Sequence, residues 1–225
     1  MSWFGGFYRS AVGKKYVMAI SGMILFAWIL IHMLGNMKIY MGAEALNHYA
    51  EFLRTMGSPV LPAQTALWIS RITLIVLAWL HIQSATQLTL MNRKARPVGY
   101  QRKDFVEADY ASRTMRWGGV AIALFVVYHL LHLTTGQVHS DFVAGDAYHN
   151  VVSGFQNLGV SRVYIAANIA LGFHLYHGLW SMFQSMGWNN PRFNSWRRVF
   201  ATTFALVIAV GNISFPVAVL AGLVR

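Results

Sequence analysis

Residues 161–188 read SRVYIAANIALGFHLYHGLWSMFQSMGW, a run charged only at Arg162 and carrying two histidines, His174 and His177, in its middle. At ~1.5 Å rise per residue, about 20 apolar residues cross the hydrocarbon core of a bilayer, and this run is long enough. An ionisable side chain at membrane depth is costly, so it reads as functional and calls for a partner. Partners exist in three other apolar runs, which hold His32, His81 and His129. Four separate segments therefore each carry an interior histidine, and the rest of the chain has to account for them.

The composition agrees with a membrane protein. Of 225 residues, 56% are hydrophobic and 11% charged, against roughly 25% charged in soluble domains. The formal charge of +11 raises nucleic acid as a partner, but the basic residues lie between apolar runs, where membrane topology places them, so nucleic acid is set aside. There is no cysteine, hence no disulfide, thiolate-bound zinc or iron–sulfur cluster held by this chain. The first residues, MSWFGGFYRSAVGKKY, lead into a run long enough to span and lack a small-residue cleavage site, which predicts a retained helix.

Five apolar runs emerge, at about 14–38, 62–91, 113–136, 161–188 and 199–224, and predict an all-α integral membrane fold: one domain, residues 1–225, built as a five-helix transmembrane bundle. Arg71, near the start of the second run, is expected to snorkel to the interface, and Pro216 to interrupt the ladder of the fifth helix and kink it, a lone Pro being tolerated in membrane helices. Lys and Arg set the orientation. One side takes Arg9, Lys14, Lys15, Arg93, Lys94, Arg96, Arg102, Lys103, Arg113, Arg116, Arg192, Arg197 and Arg198, and the other Lys38, Arg54, Arg71, Arg162 and Arg225. The richer side is cytoplasmic, which puts the N-terminus inside and the C-terminus outside. Its basic, aromatic loops either dock a soluble partner or only set topology. The seven acidic residues (Glu44, Glu51, Asp104, Glu107, Asp109, Asp141, Asp146) fall in loops or at helix margins, so histidine is the recurrent titratable residue at depth.

Neutral imidazole suits haem iron, with one ring nitrogen on the metal and the other hydrogen-bonded to fix the ring. Bis-histidine ligation takes two histidines from facing helices at similar depth, so four helices make two haems arithmetically natural. Zinc or copper sites and a histidine proton relay are the alternatives. Two helices offer a choice, because His129 and His132, like His174 and His177, are three apart and share a face. One of each pair binds iron, and the other faces a propionate or a carbonyl. His32 lies seventeen residues beyond Lys15, roughly 26 Å, and His129 thirteen beyond Arg116, roughly 20 Å, so both belong to the outer half. His81, twelve residues before Arg93 or roughly 18 Å, and His174 sit nearer mid-depth. Pairing His32 with His129 and His81 with His174 fits this arithmetic without being forced by it. His48, His139 and His149 read as surface residues of the outer loops.

The segment HMLGNMKIYMGAEALNHYAEFLR, 32–54, resembles the first helix and following loop of the cytochrome b anchor of succinate dehydrogenase, of the single-chain, five-helix, two-haem type shared with some fumarate reductases. FHLYHGLWSMF, 173–183, resembles the F-H-x-x-x-G-L-W stretch of that family's fourth helix. LAWLH and LFVVYH end at His81 and His129, where the family places its second- and third-helix ligands. The resemblance implies two b haems: a proximal one on His81 and His174, nearer the cytoplasmic partner, and a distal one on His32 and His129. It further implies a bacterial cytoplasmic (inner) membrane location, a flavoprotein and an iron–sulfur subunit docked on the inside, and electrons passing from succinate through clusters and haems to quinone. Menaquinone is what two-haem anchors generally serve. This chain would do no dicarboxylate chemistry itself, and a higher oligomer of the whole complex stays open.

A quinone needs hydrogen-bond donors at both carbonyls near the membrane edge. Glu51, Arg54 and Gln64 are the candidates on the outer side, with loop anchoring as their alternative role. The hydroxyl of Ser21 either reaches a propionate or bonds back to its own helix. Two other functions are weighed: a two-haem anchor of another quinone-linked dehydrogenase, such as formate dehydrogenase or a hydrogenase, against which the GAEALNHYAEFLR loop argues, and a histidine-based proton or metal transporter.

Overall fold

The computed structural model describes residues 3–95, 110–188 and 190–225. In chain order its α-helices are α1 (Trp3–Arg9), α2 (Ala11–Asn36), α3 (Ala43–Thr55), α4 (Thr65–Ala95), α5 (Tyr110–His129), α6 (Ala147–Gln156), α7 (Leu158–Ser185) and α8 (Asn194–Leu220). No strand occurs among the described residues. Five helical stretches are long and apolar enough to cross a membrane: Ala11–Met41, Thr65–Ala95, Met115–Thr134, Leu158–Ser185 and Asn194–Leu220. They fall on the five runs expected from sequence, with ends displaced by up to five residues, as in α8, which starts at 194 and not 199. The expected inner-loop residues Arg96, Arg102, Lys103, Asp104, Glu107 and Asp109 lie outside the described residues, as does the side chain of Arg113.

Lipid offers no hydrophobic drive between helices, so close packing of small residues carries association. α7 packs between α5 and α8, and α2 lies along α4. Ala201, Ala205 and Ile208 form a buried stripe of α8 at helical spacing. A Cβ on Gly172 of α7 would stand 3.1 Å from that of Ala209, so glycine is what lets α7 and α8 approach. Gly211 of α8 is likewise pressed against the Met33 sulfur of α2. α8 does not stop at Pro216; it continues to Leu220.

Three features depart from the sequence expectation. The first concerns the outer loops, which contain helices α3 and α6. In α3, Leu46, Ala50 and Leu53 recur at helical spacing and face inward, so Glu44, His48 and Glu51 lie on the exposed face of a helix and not in a loop. Asp146 caps α6, accepting from the His149 amide at 2.9 Å, and its carboxylate also takes 2.9 Å from the Asn47 amide of α3. Asn47 Oδ1 accepts from the Tyr148 amide at 2.9 Å, closing a reciprocal clasp between the two helices. These hydrogen bonds hold Asp146 below the usual carboxylate range, the His149 amide being the largest cause and Asn47 the next.

The second concerns His139, which is buried and not on the surface. The 135–146 segment folds back on Asn150, whose side chain bonds both the amide and the carbonyl of Val143 at 2.8 Å. His139 is thereby clamped: its Nδ1 accepts from the Asp141 amide (3.1 Å) and its Nε2 donates to the Asn150 carbonyl (2.8 Å). The third concerns two basic residues, which are enclosed instead of lying in open loops. Lys14 donates to Gln87 and sits 4.6 Å from the Tyr8 ring centre, and Arg197, 2% exposed, bonds Asn194 and lies 4.7 Å from the centre of Trp180.

Candidate functional site

The four interior histidines come from four different helices and meet in two pairs. His81 of α4 and His174 of α7 have ring centres 6.2 Å apart. His32 of α2 and His129 of α5 stand 6.0 Å apart with their planes at 89°. A metal–imidazole bond is roughly 2 Å, so two imidazoles on opposite sides of one ion place their ring centres about 6 Å apart, whatever the angle between the planes. Both pairs have that separation. No group of three or more His, Asp or Glu side chains poised for a metal ion occurs among the described residues. Two imidazoles at this separation, with no third ligand among the described residues, suit an ion held by a macrocycle, as in haem, and not a tetrahedral zinc site.

Each pair is held by its surroundings. His81 Nδ1 donates to the Met18 carbonyl of α2 at 3.0 Å, which leaves Nε2 as the free lone pair and fixes the ring. Ser21 of α2 bonds back to Val17 at 2.7 Å and lies 3.4 Å from His81 Nδ1; it stands beside the imidazole. Backbone room is needed beside His81 and less so beside His174. A Cβ on Gly22 would come within 3.0 Å of His81 Cε1, and one on Gly119 of α5 within 3.6 Å of His174 Cε1. His174 Nδ1 is buried beside the Met115 backbone of α5. In the second pair, His32 stacks on Trp28 of its own helix at 4.7 Å, and His129 Nδ1 lies 3.2 Å from the Tyr164 hydroxyl of α7.

The doubled histidines take different roles. α5 ends in a π-helical turn, Leu130–Thr134, closed by the Thr135 amide on the Leu130 carbonyl at 2.9 Å. Such turns widen a helix locally and are frequent at functional sites. His132 on this turn is stacked on His139 at 4.6 Å and on Tyr128 at 5.5 Å. Its Cε1–Nε2 edge faces Gly154 of α6, where a Cβ would stand 2.7 Å from Cε1. That edge is committed to α6, and His129 is the histidine of α5 that meets His32. His177 lies one turn beyond His174 on α7, and His174 is the one paired with His81.

Of the residues expected at a quinone, Glu51 and Arg54 line a cavity of about 520 Å³ with Glu44, Asn47, His48, Thr55 and Gly145. Gln64 is not among its lining; its backbone, at φ 68°, donates to the Arg54 carbonyl at 2.6 Å and closes the turn after α3. Tyr164, Gly22 and Gly119 escaped the sequence reading. A tyrosine or glycine in an apolar run has no distinctive signal, although glycine in a membrane helix does mark close approach.

A protein-family model described as the succinate dehydrogenase/fumarate reductase transmembrane subunit matches residues 92–212, more than half of the 225 residues. The match covers His129, His132, Tyr164, His174 and His177 and stops short of His32 and His81. No curated protein and no solved structure matches the chain.

Proposed function

Because the chain belongs to the succinate dehydrogenase/fumarate reductase transmembrane subunit family, we propose that it is the two-haem b anchor of such a complex. In this reading His81 and His174 hold the proximal haem and His32 and His129 the distal one. Haem bound there supplies one-electron chemistry between an iron–sulfur subunit, docked with its flavoprotein on the cytoplasmic side, and a membrane quinone. The chain's own work is to present four neutral imidazoles, orient them and keep water away. Met18 orients His81, Tyr164 orients His129, and the surrounding helices bury the rings. The whole chain acts as one membrane domain, N-terminus inside and C-terminus outside, in a bacterial cytoplasmic membrane. At the α3 end, Glu51 and Arg54 are the quinone candidates, with menaquinone the first substrate to try; Gln64, whose part there is a backbone one, takes third place.

The observation that carries the reading is the pairing itself: four helices, four interior histidines, and two ring separations of 6.2 and 6.0 Å. A reduced-minus-oxidised spectrum with a pyridine haemochrome assay on the purified chain tests it. About two b haems per polypeptide is the expected result. Folded, membrane-inserted protein without a Soret band would overturn it and return the histidines to a transport role.

A further inference from the structure

Tyr164 is buried, 5% exposed, and its single hydroxyl lies between two imidazoles from the neighbouring α5 and its π turn. It is 3.2 Å from His129 Nδ1 and 3.0 Å from His132 Nδ1. Its ring is fixed edge-on against Phe125 and Phe155, at 5.0 and 4.8 Å, so the hydroxyl is aimed by packing. The two imidazoles, three residues apart where α5 passes into the π turn, both reach this one oxygen.

A phenol has one proton and a neutral imidazole one N–H. These two nitrogens are the only hydrogen-bond partners of the Tyr164 hydroxyl among the described residues, so its proton goes to one imidazole and the other donates to the oxygen. If His129 accepted, its own proton would sit on Nε2 and block the nitrogen that faces His32. If His129 donates, Nε2 is a free lone pair, the Tyr164 proton goes to His132 Nδ1, and the His132 proton goes to Nε2. The adjoining pair has a direction of its own: Asp141 donates to His139 Nδ1 and His139 Nε2 donates to Asn150.

We propose that Tyr164 is the positioning residue of the distal site, a tautomer lock that His132 sets in the ligating direction. This rests on the reading of His129 as a haem ligand. The chain of donation runs from His129 to Tyr164 to His132, so His132 has a role although it binds no iron. An N–H donated to a polarised oxygen makes the imidazole a stronger donor to metal and favours the oxidised ion. Removing the acceptor therefore raises the midpoint potential of the distal haem and leaves the proximal one alone.

The test is a redox titration, with low-temperature EPR of the oxidised haems, on the purified full-length chain and on Tyr164→Phe, His132→Leu and His132→Asn. The expected result is two haems in each, an upward shift of one midpoint and a moved low-spin signal for that haem in Tyr164→Phe. His132→Leu shifts the same step in the same direction, while His132→Asn, whose Oδ1 replaces Nδ1 as acceptor, stays close to wild type. Two haems with both midpoints unmoved in Tyr164→Phe would overturn the proposal. If Tyr164→Phe fails to fold, the contrast between His132→Leu and His132→Asn decides, and equal behaviour of those two overturns it. Failure of the underlying reading looks different: His129→Ala would then retain both haems.

Discussion

His32 stands edge-on to His129, their ring centres 6.0 Å apart and their planes at 89°, although 97 residues separate them in sequence (129 less 32). Such a meeting of two imidazoles from α2 and α5 has no structural purpose that an apolar pair would not serve more cheaply in lipid. In the reading proposed above, its value is the room for one ion between the two rings.

The ligand choice on α7 is checked by haem content. We expect His174→Ala to lose one haem and His177→Ala to keep both, because His174 is the ring paired with His81. Loss of a haem in His177→Ala with retention in His174→Ala would reverse the assignment.

Glycine contacts give a second contrast. A Cβ at Gly22 stands 3.0 Å from His81 Cε1, whereas one at Gly119 reaches ordinary contact, 3.6 Å, with His174. Gly22→Ala is expected to move the EPR signal of the His81/His174 haem or to lower its occupancy. Gly119→Ala should leave both signals in place and gain about 0.5–1 kcal/mol of helix propensity, read as a small rise in Tm.

Gly154 is more tightly held. A methyl group there would lie 2.7 Å from His132 Cε1 and 3.1 Å from His139 Nε2, both clamped rings. Gly154→Ala is expected to cost about 1–3 kcal/mol as overpacking, seen as a lower Tm in detergent. An unchanged Tm would mean that the His132–His139 stack yields easily.

Asp146 makes a pH prediction with a definite sign. Its hydrogen bonds to the His149 amide and Asn47 hold the folded carboxylate below its usual value. Its contribution is therefore complete above the ordinary Asp pKa of about 3.9 and is lost as pH falls through the lower folded value. Asp146→Ala should lower stability by about 1 kcal/mol at pH 7, the worth of an N-cap, with the gap to wild type closing progressively as pH falls below the ordinary Asp range. A gap that does not narrow at all on acidification would assign the effect to packing.

Much of the architecture is legible in the sequence, because apolar runs of membrane length admit few readings and a histidine inside one stands out. His32, His81, His129 and His174 are visible for that reason, and depth arithmetic is compatible with their pairing without fixing it. α3 was masked by its resemblance to a family loop, although Leu46, Ala50 and Leu53 carry the helical period. His139 was unreadable as a buried group, because its burial depends on Asn150 drawing the 135–146 segment back. His132 is legible as the neighbour of His129 on one helix face, but Tyr164 is not, because its contact with both rings depends on how α7 packs against α5.

The central claim is that the four histidines act as two couples, and haem counts in double variants test it most directly. His81→Ala/His174→Ala removes both members of one couple, so it should lose one haem, no more than either single variant. His81→Ala/His32→Ala breaks both couples and should lose two. If the first double variant lost both haems and the second kept one, His81 would belong with His32, and the pairing by ring separation would be contradicted.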